Sequence, residues 1–84
     1  MKQPKTFKQI LRQYRRNEAN NDHNENALML VKCFGTAEEV KAIEEIIAEY
    51  ERNPEEGMTM AQTHRRFEIS NKYFASLVKA AAAQ

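Results

Sequence analysis

A single cysteine, Cys33, is the only thiol of this 84-residue chain, so an intramolecular disulfide and a multi-cysteine zinc site are both excluded. A reducing, cytoplasmic setting is the expectation that follows. Glycine and proline occur only twice each and tryptophan not at all. So few backbone breakers disfavour a fold of many short strands and turns, and the runs of Ala, Glu, Lys, Arg, Gln and Leu favour helix. No apolar stretch approaches the length needed to span a bilayer, and the N-terminal Lys2, Lys5 and Lys8 are not followed by the apolar segment of a secretory signal. A glycine-rich phosphate loop, a Ser-His-Asp set and a paired-carboxylate cleft are also missing from the pattern. The expectation is a protein that is not an enzyme, holds no cofactor and has no metal site.

What the chain has is charge, and its distribution is uneven. The formal net charge is only +1. Residues 1–17 nevertheless hold six basic side chains (Lys2, Lys5, Lys8, Arg12, Arg15, Arg16) and no acid. Residues 18–57 hold eleven acids against Lys32, Lys41 and Arg52, and residues 59–84 return to positive with Arg65, Arg66, Lys72 and Lys79 against Glu68. A basic, acidic, basic order gives a dipolar surface able to approach a polyanion from one side.

The local signals predict an all-α protein, a compact bundle of about five short helices in a single domain over 1–84. Thr6 caps a first helix to about Asn17, amphipathic through Phe7, Ile10, Leu11 and Tyr14. The asparagine-rich stretch 20–26 reads as a turn and cap. A second helix over 27–34 is apolar on nearly every side, which implies burial at the centre of the fold or at a subunit interface, with Cys33 as a small core residue. Gly35 closes it, and Thr36 with Glu39 forms a capping box for a third helix whose stripe is Val40, Ile43, Ile46, Ile47 and Tyr50. Asn53-Pro54 ends that helix. Thr59 with Gln62 opens a fourth helix to about Phe67, and Ser70 caps a fifth containing Phe74, Leu77, Val78 and Ala81. Asp22, His23 and Glu25 are read as loop chemistry, and Met29, Met58 and Met60 as core fillers.

Residues 59–79 (TMAQTHRRFEISNKYFASLVK) resemble the helix-turn-helix of many bacterial and phage DNA-binding proteins. Met60, Ala61, Arg65, Arg66, Phe67, Ile69 and Ser70 fall on the motif's expected positions. The resemblance implies that 36–82 form a three-helix unit ending in this motif, with 1–34 completing the core or building a dimer interface. In such a motif Phe67 and Ile69 pack onto Phe74 and Val78, and the outer face of the last helix is left to Asn71, Lys72, Ala75, Ser76 and Lys79. Asn71 can pair with adenine, Lys72 and Lys79 can reach guanine or phosphate, Ser76 adds a donor, Arg65 and Arg66 meet phosphate, and the free amides near Thr59 hold another.

The resulting expectation is a small transcriptional regulator that binds double-stranded DNA as a homodimer, with the DNA-binding set Thr59, Arg65, Arg66, Asn71, Lys72, Ser76 and Lys79. The basic first helix could contact DNA phosphates, lie on an acidic membrane surface, or dock on the acidic third helix of its own or a neighbouring subunit. The alternative function is a protein-binding inhibitor or adaptor, such as a phage antagonist of a host defence complex. It would use Glu38, Glu39, Glu44, Glu45 and Glu49 as a nucleic-acid mimic toward a host protein.

Overall fold

A computed structural model describes residues 6–84 and shows four helices, with no strand among them. Lys2 and Lys5 of the basic N-terminal stretch lie outside the described residues. The helices are α1 (Phe7–Ala19), α2 (His23–Phe34), α3 (Ala37–Arg52) and α4 (Met60–Ala82).

Three of the four open with a reciprocal capping box. The Thr6, Thr36 and Thr59 hydroxyls accept from the backbone N–H groups of Gln9, Glu39 and Gln62, and those three side chains accept in return from the capping threonines' N–H groups. Each box satisfies two donors that a helix start would otherwise leave bare. The boundary at Gly35-Thr36 and the break at Asn53-Pro54 both form as the sequence predicts. Gly35 is extended (φ −85°, ψ 172°), so no left-handed turn demands it. Close approach does: a Cβ there would stand 2.5 Å from Val31 Cγ2 and 2.8 Å from the Val31 carbonyl oxygen.

The polar stretch 20–26 is a turn only as far as Asp22, with Asn21 in the left-handed region (φ 60°) that asparagine tolerates. His23, Asn24, Glu25 and Asn26 form the first turn of α2 instead, because Asn26 is drawn into the core. The Asn17 amide donates to Asn26 Oδ1 (3.1 Å), Asn26 Nδ2 donates to the Tyr14 carbonyl (3.1 Å), and Gln13 Nε2 donates to Asn17 Oδ1 (2.8 Å). This buried amide chain locks α1 to α2 with every buried side-chain polar atom among the described residues partnered. Cys33 is not a core residue. It is exposed, because Ala27, Leu30, Val31 and Phe34 take α2's inner face and leave position 33 on the other side.

The predicted helix-turn-helix does not form. Helix α4 runs unbroken through Phe67-Glu68-Ile69-Ser70, so four helices replace the expected five and Ser70 caps nothing. The motif's turn needs a residue in the left-handed region, and Glu68 there costs on the order of 1 kcal/mol. Neither Gly nor Pro interrupts 58–84, so the helical hydrogen bonds simply continue. The burial pattern agrees: Ile69, Tyr73, Leu77 and Ala81 repeat every fourth residue and all are buried. Phe67 and Val78, expected to lock a steep crossing, are 48% and 40% exposed, and Met60, read as a core filler, is 90% exposed.

The buried centre is Ala27, Leu30, Val31, Ile43, Ile69, Tyr73 and Leu77. Helices α2 and α4 form the middle pair. Helix α1 lies along the later part of α4, with Tyr14 stacked on Phe74 (4.8 Å between centroids) and the Lys8 amide donating to Gln84 Oε1 (3.2 Å). Helix α3 lies along the earlier part, where Gln62 donates to Glu49 (2.9 Å) and Tyr73 to Glu39. The two flanking helices make no close approach to each other.

Candidate nucleic-acid interface

Because α1 and α3 flank the middle pair without touching, the segregation of charge along the sequence becomes a segregation of charge in space. Helix α1 buries Phe7, Ile10, Leu11 and Tyr14 against the core, and helical spacing puts Lys8, Arg12, Arg15 and Arg16 outward. All four are exposed. Among the described residues, Lys72 pairs with Glu39 (3.3 Å) and His64 lies 3.8 Å from Glu68, a contact that is ionic only when the imidazole is protonated, and neither involves α1. Gln9, Arg12, Gln13 and Arg16 line one shallow groove, within which Arg16 donates to Gln13 (3.4 Å). The opposite flank, on α3, exposes Glu38, Glu44, Glu45, Glu49 and Glu51.

The residues predicted to read DNA from α4 are dispersed rather than gathered. Arg65, Asn71, Lys72 and Lys79 are exposed, whereas Ser76 and Arg66 are half-buried. Asn71 faces the α1 side, where it shares a pocket with Tyr14 and Glu18, and Lys72 faces the α3 side, bonded to Glu39. Arg66 points inward. Its guanidinium donates to Asn24 Oδ1 (2.7 Å) and to Met58 Sδ (3.5 Å), and burial holds its pKa below the ordinary arginine value. The Thr59 hydroxyl and the Thr59 and Gln62 amides are engaged in the capping box.

Glu39 does more than cap α3. One carboxylate accepts from the Tyr73 hydroxyl, the Thr36 amide (2.9 Å) and Lys72 (3.3 Å), and these partners, Tyr73 foremost, hold its pKa down at about 2. It is therefore a tie between α3 and α4, not part of a free acidic surface. Sequence reasoning identified its capping role from the Thr-x-x-Glu spacing but had no signal for Tyr73, which lies 34 residues away.

Comparison with family models, curated proteins and solved structures finds no match. The site is read from its own chemistry. Among the described residues, no group of three or more His, Cys, Asp or Glu side chains converges as metal ligands would, and no helix is long and apolar enough to cross a membrane. An open cleft between the start of α2, the end of α3 and the start of α4 carries Arg66 together with Asp22, Glu25 and Glu51, a lining with more carboxylates than cations that does not suit a polyanion. The distinct feature is the basic outer face of α1.

Proposed function

We propose that the protein is a non-enzymatic DNA-binding protein that holds the phosphate backbone on the outer face of α1. The observation that carries this reading is the row Lys8, Arg12, Arg15 and Arg16, four exposed cations on one 13-residue helix with no carboxylate among the described residues paired to them. Lys8 and Arg16 are eight residues apart, so the row extends about 12 Å along the helix, long enough to meet several consecutive charges of a DNA backbone. The acidic α3 sits on the far flank, where it does not oppose an approaching polyanion and favours the approach from the α1 side. Regulation of transcription by this protein then runs through α1 rather than through a recognition helix in α4.

Fluorescence anisotropy of labelled DNA as a function of salt tests this directly. Four phosphate contacts correspond to a slope of log affinity against log salt of roughly −3 to −4, or about a hundredfold loss between 50 and 200 mM salt. The Arg12→Glu, Arg15→Glu, Arg16→Glu triple variant should abolish binding at every salt concentration. Unchanged binding by that variant would remove α1 from the interface.

One observation favours a second reading. The exposed face of α3 carries five glutamates against Lys41 and Arg52, enough to attract a basic protein surface. In that case charge reversal at Glu38, Glu44 and Glu45 eliminates biological activity while the α1 triple variant retains it.

A further inference from the structure

We infer that Phe67 is a stacking platform for an unpaired nucleobase, so that the strand held on α1 is single-stranded DNA. This inference rests on the DNA-binding reading above and specifies which form of DNA it takes. A folded protein of this size buries its aromatic rings where it can, and here Phe7, Tyr14, Phe34, Tyr73 and Phe74 all pack on the core while Tyr50 is half-buried in the cleft beside Arg66. Phe67 does not; it is 48% exposed in the middle of α4.

The ring is also held. The Arg66 guanidinium lies over it, 5.2 Å from the centroid, and the His23 ring meets it at 6.4 Å and 44°. Arg66 is in turn fixed by Asn24 (2.7 Å), so the platform is ordered before any ligand arrives. Phe67 borders a small pocket with Tyr14, Glu18, His23, Ser70 and Asn71. The Asn71 amide can both donate to and accept from a base edge, and the Glu18 carboxylate can accept from an exocyclic amino group or from the N3–H of thymine.

The helix that lines this pocket through Tyr14 and Glu18 also carries the cations that would meet the phosphates. Arg15 directly follows the pocket-lining Tyr14 and stands one helical turn before Glu18, and Lys8 lies two turns earlier along the same edge of α1. Cations along one edge and an exposed ring beside them are what a single strand requires, because every base offers a π-face once it is out of the duplex. A fully paired duplex keeps its bases stacked and would leave Phe67 unused.

The chain contains no tryptophan, so Phe67→Trp introduces a lone indole, excited at longer wavelength than the three tyrosines, at the proposed contact. On titration with a short oligothymidylate its emission should be quenched in step with the anisotropy of a labelled strand. Phe67→Ala and Phe67→Leu should each weaken oligothymidylate binding about 5- to 150-fold while leaving duplex affinity and its salt slope unchanged. Wild-type protein should prefer the single strand to a blunt duplex of the same length. If labelled DNA binds but the Phe67→Trp emission does not change, the stacking inference fails and the α1 reading stands. If no DNA of either form binds, both fail. Tighter binding of oligouridylate than of oligothymidylate would overturn the assignment to DNA.

Discussion

Glu39 shows how one side chain can join local and tertiary structure. It closes the capping box of α3, and through Tyr73 and Lys72 it fastens α3 to α4. Its folded pKa of about 2 lies below the ordinary value of 4.5. A depressed carboxylate contributes stability that is fully present above the unfolded pKa and is lost as pH falls through the folded one. We therefore expect the urea midpoint of the wild type to decline from about pH 4.5 down toward pH 2. Glu39→Gln keeps an acceptor for Thr36 but removes the titrating charge, so its curve should be lower at neutral pH and flatter across that window. A wild-type slope that survives the substitution intact would place the acid sensitivity elsewhere. The sequence reading of this residue was half complete, since its capping partner is three positions away and its tertiary partners are more than thirty.

The same contrast between near and far governs the helices. Their starts at Thr6, Thr36 and Thr59 and the break before Pro54 were legible because each depends on residues within one turn. What was not legible is the continuity of α4. Ser70 and the apolar pair Phe67 and Ile69 satisfy a turn pattern locally, yet the deciding contacts are those of Ile69, Tyr73 and Leu77 with α2 and α3, which no short window contains. The amide chain from Gln13 through Asn17 to Asn26, which pulls the start of α2 back to His23, escaped for the same reason. Continuity has a sharp test in Glu68→Gly. In an exposed helix interior, glycine should cost about 0.5–1 kcal/mol, read by urea unfolding. In a helix-turn-helix, where that position takes a left-handed conformation, the same change would be neutral or stabilising.

For the molecule as a whole, the basic and acidic flanks are separable. Helices α1 and α3 meet only through α2 and α4, and the outward charges on each are exposed. Reversing Arg12, Arg15 and Arg16, or reversing Glu38, Glu44 and Glu45, should shift stability by no more than about 0.5 kcal/mol per residue, and the two sets should add when combined. Circular dichroism with urea titration reads this. Clear non-additivity would mean that the flanks are coupled across the fold. The site was legible at this scale in part: the charge blocks are visible in the sequence, whereas the stranding of Phe67 on the surface depends on which face of α4 turns inward.

The seating of α1 against α4 also bears on how the chain comes to be folded. Synthesis proceeds from the N-terminal side, so α1 emerges well before the helix that receives it. Tyr14 must wait for Phe74, sixty positions later, and the Lys8 amide waits for Gln84. During that interval Phe7, Leu11 and Tyr14 present an apolar face to the crowded exterior of the ribosome. The hydrogen bonds from Asn17 to Asn26 and from Asn26 to Tyr14 span only the first hairpin and need nothing downstream. They can hold α1 and α2 together as a nascent unit, guarding that face until α4 arrives to cover it.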